Sequence, residues 1–167
     1  MEIINEANDK FKGMQDEICG FLFDFLRKIN EVEESTFKRS EELRKNKKKL
    51  GIPDHIVGPG ENELWAEYKQ QLRELIPPHI TEKLRKRGFG GSMGDRGTYF
   101  YLKENEECTA NFIMKTAARA VVITHYKTWT GETHKFVVKN EDGVWLVDAV
   151  YAGYEDEPDK WSIRGII

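Results

Sequence analysis

Two side chains on segments of strand-like composition could act as an acid–base pair. Asp148 lies within the apolar segment Val144–Tyr151, where burial would make ionisation costly, and His125 lies on a neighbouring predicted strand. In a pocket between helices and sheet, Asp148 could serve as general base and His125 as general acid, which predicts a small-molecule enzyme. The alternative interpretation is that Asp148 points to solvent while its neighbours pack, because side chains alternate along an antiparallel strand.

One later segment concentrates carboxylates and aromatic rings. Residues 154–161 hold four carboxylates, a proline and two large aromatic side chains, and residues 91–167 carry 12 acidic against 9 basic residues, a net of -3. Aromatic rings can anchor an interface and charges of one sign can steer a partner, so we expect a protein partner with a basic surface. The predicted contact residues are Tyr151, Tyr154, Glu155, Asp156, Glu157, Asp159 and Trp161. The alternative is a solvated loop before a final strand whose tryptophan simply packs.

We expect no metal centre and no cofactor. If Thr130 and Gly131 form the centre of a hairpin turn, His125 and His134 share one face of the sheet, but a metal would need a third ligand from elsewhere. The glycine cluster over residues 88–97 lacks a Gly-Lys-Ser or Gly-Lys-Thr sequence and follows a helix instead of a strand. It therefore favours a flexible linker over a phosphate-binding loop.

We expect no nucleic-acid partner either. Clusters of Lys and Arg over residues 44–49 and 83–87 could follow a phosphate backbone. Residues 1–90, however, hold 17 basic and 17 acidic side chains, a net of zero, and no stacking aromatic residues are interleaved with the clusters. The basic clusters are therefore interpreted as solvent-exposed faces of helices.

The composition predicts one folded domain in a reducing compartment. The 167 residues carry 26 Lys and Arg against 29 Asp and Glu, a formal charge of -3, and that length predicts a single domain over residues 1–167. Cys19 and Cys108 have the spacing of neither a zinc site nor a disulfide framework. The chain has no segment that could span a bilayer and no signal-peptide pattern at its start, so we expect a cytoplasmic protein without a membrane partner.

The hydrophobic period divides the domain into a helical half, residues 1–87, and a sheet half, residues 97–167. Apolar residues in the first half recur every three or four positions, which is typical of amphipathic helices. The predicted helices span residues 4–32, 35–50, 64–76 and 80–87. Ser35 or Thr36 is the expected N-cap of the second helix.

The second half has the composition of strands joined by short turns. The predicted strands span residues 99–102, 111–114, 120–126, 136–138, 144–151 and 161–167. Turn chemistry at Asn140–Gly143 and at Thr130–Gly131 joins consecutive strands, which makes the sheet antiparallel with one face free to receive helices. The expected fold class is α+β, with N-terminal helices packed on a curved, mainly antiparallel sheet.

Helices followed by a curved sheet that ends in Asn140-Glu-Asp-Gly-Val-Trp-Leu-Val-Asp-Ala-Val150 resemble the cone-shaped nuclear transport factor two-like (cystatin-like) superfamily. The resemblance covers roughly residues 95–152 and lies in a glycine turn, a tryptophan and an alternating apolar strand. The long helical half departs from the compact helix pair of that superfamily. The resemblance implies a bent sheet that wraps the helices.

Two kinds of protein in that superfamily give two expectations of function. Ketosteroid-isomerase-like and dehydratase-like enzymes place acids, tyrosines or histidines inside the cone, where His125, Tyr126 and Asp148 are the candidates here. Non-catalytic members include bacterial immunity proteins of polymorphic toxin systems, which bind and neutralise a cognate toxin. A charged chain with an acidic aromatic tail is more similar to the second kind, so the resemblance implies an immunity protein. A third alternative is an adaptor or homodimer that associates through the sheet's open face.

Overall fold

The structure, a computed structural model, describes residues 1–89, 94–103, 107–127 and 131–167. Within these ranges the elements are β1 (Glu2–Asn5), α1 (Gln15–Lys49), α2 (Glu61–Leu75), α3 (Glu82–Arg85), β2 (Cys108–Thr116), β3 (Arg119–Tyr126), β4 (Glu132–Glu141), β5 (Val144–Tyr154) and β6 (Ser162–Arg164). Short 3-10 turns lie at Asp9–Met14, Pro77–His79 and Phe100–Leu102. The expected α+β class is confirmed.

The six strands form one open sheet in sequence order, β1 to β6. The strand β1 runs parallel to β2, and every other neighbouring pair is antiparallel. One face of the sheet builds the core, where side chains such as Phe112 and Phe136 pack with Leu22 and Leu26 of α1. Helices α2 and α3 contribute Leu72 and other side chains to the same core, so all three helices lie on one face.

The predicted first helix begins later than its apolar pattern suggested. Residues 2–5 form β1 beside β2, and a 3-10 turn precedes the start of α1 at Gln15. The side-chain oxygen of Asn5 accepts a hydrogen bond from the backbone N–H of Ala7 at 3.1 Å, which turns the chain out of the strand. Ile4, expected on a helix stripe, therefore lies on the sheet.

The second predicted helix is not separate, because α1 continues from Gln15 to Lys49. Ser35 and Thr36 were expected to cap a new helix. Their hydroxyls instead donate to the carbonyl of Val32, at 3.1 Å and 2.7 Å, within the continuous helix. A Ser or Thr hydroxyl can donate a hydrogen bond to a backbone carbonyl of the preceding helical turn as readily as it can cap the start of a helix.

Residues 99–102 are not the predicted strand. Phe100–Leu102 form a 3-10 turn that pushes aromatic side chains into the core. The ring of Tyr101 stacks on that of Tyr126 with 3.9 Å between centroids, and Tyr99 is also buried. Gly97 sits so close to α1 that a Cβ there would clash with the side-chain oxygen of Asn30. That oxygen accepts the Tyr99 N–H at 2.9 Å, which fixes the segment on the helix.

The two hairpins differ in how well their turns were predicted. Asp142 and Gly143 both have positive φ, 52° and 86°, as expected for the turn between β4 and β5. Between β3 and β4, the predicted turn residue Thr130 lies outside the described residues. The actual register pairs His125 with Thr133 and Thr124 with His134, so the two imidazoles lie on opposite faces. The expectation that His125 and His134 share one face, which assumed a turn centred on Thr130 and Gly131, is wrong.

The last predicted strand and the short basic helix are both shorter than expected. The strand β6 covers Ser162–Arg164, and α3 covers Glu82–Arg85 with the Thr81 hydroxyl as its N-cap on Leu84 N–H, at 3.4 Å. Before α3, Ile80 makes a parallel bridge to Val147 of β5. The edge of β5 is thus covered by β6 along one part and by Ile80 along another.

Candidate protein-binding surface

The face of the sheet opposite the helices carries a ladder of aligned side chains. One row crosses all six strands, and a second, more apolar row crosses four of them. The first row is Ile4, Asn111, Ile123, Lys135, Tyr151 and Ile163; the second is Ile113, Val121, Val137 and Ala149. We call these ten residues, together with Trp161, the open face. Five strand spacings make it about 24 Å wide.

Three side chains of the open face form a cation–aromatic cluster. The Lys135 ammonium lies 4.0 Å from the centroid of the Trp161 ring and 4.9 Å from that of Tyr151. Burial by these neighbours lowers the pKa of Lys135. Gly153 makes the arrangement possible, because a Cβ there would lie 3.0 Å from the Trp161 ring. Lys135, Tyr151 and Trp161 form what we call the aromatic clamp, and cation–π attraction holds it together.

The loop between β5 and β6 brings the predicted carboxylates to one edge of the open face. Residues 154–160, which we call the acidic loop, carry four carboxylates and one lysine, a net of -3. All seven residues are exposed, and Tyr154 is 45% exposed. Glu157 pairs with Lys160 at 2.6 Å, and the Glu155 carboxylate lies 3.9 Å from Nδ1 of His125. The remaining carboxylates are available to a partner.

Six of the seven predicted contact residues lie together: Tyr151 and Trp161 on the open face, and Glu155, Asp156, Glu157 and Asp159 in the adjoining acidic loop. Tyr154, the last residue of β5, pairs with Glu132 and points to the helical side of the sheet. Trp161 is half-buried and packs across Gly153, so its ring is ordered and partly accessible. Lys135, Ile123 and Ile163 belong to the same surface and were missed. Only the register of β3 with β4 and of β5 with β6 reveals them.

Asp148 has a different role from the one its sequence context suggested. It is the extra residue of a β-bulge, since Val147 pairs with Val138 and Ala149 with Val137. Its side chain is 14% exposed and accepts hydrogen bonds from the Thr81 hydroxyl and the Lys83 ammonium, both at 3.0 Å. Burial tends to raise the pKa of Asp148, but the bonds from Lys83 and Thr81 outweigh it and lower the pKa overall. Asp148 is therefore neither solvent-pointing nor a free base.

His125 is not close to Asp148. It lies on the open-face side opposite Thr133, which in turn pairs with Gly153, whereas Asp148 bonds to residues of the helical side. Asp148 precedes Gly153 by five residues along β5, so the two side chains are about 16 Å apart along the strands and about 10 Å across them. The structure does not bring the proposed acid–base pair together.

An unexpected polar cluster lies on the core side of the sheet. The Tyr101 hydroxyl is 2.8 Å from Nδ1 of His134, and Tyr101 stacks on Tyr126. His134 and Tyr99, with Arg164, line a cavity of about 350 Å³. Burial, with a contribution from Arg164, lowers the pKa of His134 to about 4, and burial raises the pKa of Tyr101 well above its ordinary value. Tyr101 and His134 are therefore both uncharged at neutral pH, and the hydrogen bond between them joins two neutral groups.

Within the described ranges no group of three His, Cys, Asp or Glu side chains could hold a metal ion. None of the described helices combines the length and the apolar character needed to cross a bilayer. No protein-family model, no curated protein and no solved structure matches the chain.

Proposed function

We propose that the chain is a non-catalytic binding protein that neutralises a basic protein partner, and that this partner is a cognate bacterial toxin. The proposal is supported by one observation above the others: an aromatic clamp and a loop of net charge -3 adjoin on a single accessible surface. Aromatic side chains contribute most of the affinity at protein interfaces, and one-signed charge speeds encounter with a partner of opposite sign.

The surface is large enough for such a partner. The strands β2 to β5 hold eight to eleven residues, so they are about 27 to 36 Å long and together about 19 Å wide, which gives a face of roughly 500 to 700 Å². The short edge strands β1 and β6 and the acidic loop add to it, and an interface of standard size takes ~800 Å² from each partner. Inhibition by coverage alone needs no reaction at this surface.

The resemblance to nuclear transport factor two-like immunity proteins is part of the proposal. Its signature tryptophan, Trp145, is buried and donates its ring N–H to the Glu17 carboxylate of α1 at 3.1 Å, tying the last hairpin to the helical half. That contact is compatible with a sheet built around a helix, as the superfamily has.

Neutralisation is the direct test. If the gene next to this chain's gene encodes the toxin, its product should arrest bacterial growth and coexpression of this chain should restore it. The two purified proteins should also bind each other. Failure of the neighbouring product to be toxic or to bind would contradict the proposal.

Variants locate the interface. Trp161→Ala should weaken binding by about 2 kcal/mol, or roughly 30-fold, because it removes a central aromatic anchor. Trp65→Ala is the matched control, since Trp65 is an exposed tryptophan of α2 far from the sheet surface in sequence and element. Asp156→Lys with Glu157→Lys should slow association, while Glu63→Lys on α2 should not. Equal effects of test and control variants would place the interface elsewhere.

A second candidate is a small-molecule enzyme, and the cavity beside His134 favours it. The polar groups that line it include His134, Arg164 and Tyr99, not Asp148 and His125, and Tyr101 is connected to it only through its hydrogen bond to His134. The imidazole ¹⁵N signals of His134 would shift when a ligand entered that cavity. Unchanged signals across a panel of small carboxylates and carbonyl compounds would count against this candidate.

A further inference from the structure

The last turns of α1 leave the core and form an arm. Thr36 is the last residue of α1 that is fully buried near the core, and the 13 residues from Phe37 to Lys49 extend about 20 Å further. The contacts of this part are with the start of α2, such as the paired hydrogen bonds between Arg39 and Glu67, at 2.8 Å and 2.7 Å. We call residues 44–57, at its end, the arm tip.

The arm tip is held in a fixed shape. The Lys47 side chain is buried, and its ammonium donates to the Asp54 carbonyl at 2.9 Å and pairs with the Glu61 carboxylate at 3.3 Å. The same carboxylate accepts the Gly58 N–H at 2.7 Å, which lowers the pKa of Glu61. Gly58 packs on the Lys47 stem, so the loop closes around this ion pair and not around an apolar centre.

Because the ion pair occupies the inside of the loop, the aliphatic side chains of the arm tip are exposed to solvent. Leu50 is 66% exposed, Ile56 48% and Val57 59%. These are three of the nine large hydrophobic residues that are exposed in the described chain, and they fall within eight residues of sequence. Scattered exposed aliphatics are ordinary on a protein surface, but a cluster at the end of a projecting arm indicates a binding site.

Positive charge surrounds the aliphatic cluster. Residues 44–57 contain five basic and one acidic side chain, but Arg44 pairs with Glu41 and the buried Lys47 with Glu61, so three exposed lysines and Asp54 leave a net of +2 at the arm tip. Lys45, Lys48 and Lys49 are exposed, and their ammonium groups form no ion pair with the described residues. Cations at a helix C-terminus offset the helix dipole, which accounts for the lysines alone and leaves the aliphatic residues unexplained.

Exposed aliphatic side chains next to exposed lysines fit one class of binding partner better than the others. Nucleic acid would use the lysines, but it also stacks its bases on aromatic side chains, and the arm tip contains no Phe, Tyr or Trp and a single histidine, His55. An anionic bilayer uses both features, since lipid phosphates attract ammonium groups and the headgroup–acyl boundary accepts aliphatic side chains.

We propose that the arm tip docks on an anionic phospholipid bilayer. Leu50, Ile56 and Val57 enter the headgroup–acyl boundary, and Lys45, Lys48 and Lys49 lie at the level of the lipid phosphates. The attachment is peripheral and crosses no membrane. It uses a different surface from the proposed toxin-binding site, and it adds the membrane partner that the sequence expectation left out.

Vesicle sedimentation tests the proposal with the full chain. At about 0.1 M salt the protein should sediment with vesicles containing 30% phosphatidylglycerol and stay in solution with pure phosphatidylcholine. Lys48→Glu with Lys49→Glu should weaken binding at least about tenfold, as should Ile56→Ser with Val57→Ser, because charge and burial both contribute. Lys69→Glu with Lys86→Glu, and Val144→Ser, are the matched controls and should leave binding unchanged.

Three outcomes would overturn it: no sedimentation of the wild type, equal loss in test and control variants, or loss with the lysine variants only. The last result, with displacement by polynucleotide at matched phosphate, would assign the tip to nucleic acid. A readout that does not depend on affinity is Val57→Trp, whose added fluorescence should be quenched by brominated phosphatidylglycerol. Absence of quenching in sedimented protein would equally refute insertion.

Discussion

Single buried polar residues fix the segment that precedes the sheet. Glu33 of α1 is fully buried and accepts hydrogen bonds from the Thr98 N–H at 2.6 Å and from the Thr98 hydroxyl at 2.7 Å. Burial raises the pKa of Glu33, and the two bonds from Thr98 only partly offset it. A buried carboxylate of this kind contributes little net stability, but it specifies where the chain returns to the helix.

His134 makes stability depend on pH in a defined window. Its pKa is about 4 in the folded state and 6.5 in a model peptide, so only the unfolded chain takes up a proton between these values. Stability should therefore fall as pH drops from 6.5, by about 3 kcal/mol at pH 4. Urea denaturation of wild type and His134→Gln at several pH values checks this, because the variant should lack that component.

The contribution of His134 is the difference in the free energy of unfolding between wild type and His134→Gln at each pH. The comparison is needed because carboxylates, which titrate below pH 5, contribute equally in both proteins. If His134→Gln is too unstable to measure, NMR titration of the wild-type imidazole gives the folded pKa directly. An ordinary histidine pKa there would contradict the prediction.

Two glycines provide a matched pair for testing close packing. Gly153→Ala should lower the free energy of unfolding by about 1 kcal/mol, because the new methyl group presses on the Trp161 ring and on the Lys160 carbonyl. Gly20→Ala in α1 meets no atom within 4 Å and should raise stability by up to about 1 kcal/mol. Chemical denaturation of both variants decides the matter, and destabilisation by Gly20→Ala would contradict the packing described for α1.

At the scale of elements, the edge of β5 is covered by contacts between the helical half and the sheet half of the chain. Ile80 bridges to Val147, the Thr81 N–H donates to the Val147 carbonyl at 3.0 Å, and Asp148 then holds Thr81 and Lys83. An uncovered edge strand is a template for aggregation. The β-bulge at Asp148 turns its carboxylate toward α3 and makes this cover possible.

Removing the Asp148 charge should loosen that cover. We expect Asp148→Asn to lower the free energy of unfolding at pH 7 by about 1 kcal/mol, a modest value because Lys83 is largely exposed and screened by solvent. The lowered pKa means that this stability is present above the ordinary aspartate range and is lost as pH falls through it.

Asp159→Asn is the control for that variant, since Asp159 is exposed in the acidic loop. Urea denaturation near pH 7 and near pH 3 should show the difference between Asp148→Asn and wild type shrinking in acid. A difference that stays constant with pH would mean that the Asp148 charge is not involved.

Sequence periodicity predicted the type of most elements, because burial of one face leaves a direct pattern. The periodicity failed where the same side chains could be accommodated by two different local structures. Ser35 and Thr36 could cap a helix or bond to the turn before them, and the aromatic run at 99–102 could form a strand or fill a core. The helix boundary at Gln15 also depended on β1, whose partner strand lies about a hundred residues away.

The candidate surface was predicted in composition but not in geometry. Residues 154–161 are adjacent in sequence, so their charge and aromatic content could be seen directly. Lys135 and Ile163 join them only through strand register, which sets Lys135 opposite Tyr151 and Tyr151 opposite Ile163. A register shift of one residue exchanges the two faces, and this is why His125 and His134 were placed together.

At the scale of the whole molecule, a small net charge conceals two regions of opposite charge. The acidic loop carries -3 and the arm tip, once its ion pairs are counted, +2, within a chain of net -3. At about 10 mM salt screening is weak, so each region should attract a surface of the opposite charge. Native protein at pH 7.5 should therefore be retained by both cation- and anion-exchange resins, and Lys45→Glu with Lys48→Glu should abolish retention on the cation exchanger. Passage of wild type through that resin would contradict this.

The unbroken course of α1 also has a mechanical consequence. One rod of 35 residues, about 52 Å long, has its first turns embedded beside the sheet and its last turns at the arm tip. A surface that binds the arm tip therefore also sets the height and the tilt of the sheet above that surface, because the helix between them is rigid. A protein bound across the strands would be presented at a set distance from the anchoring layer instead of tumbling freely above it.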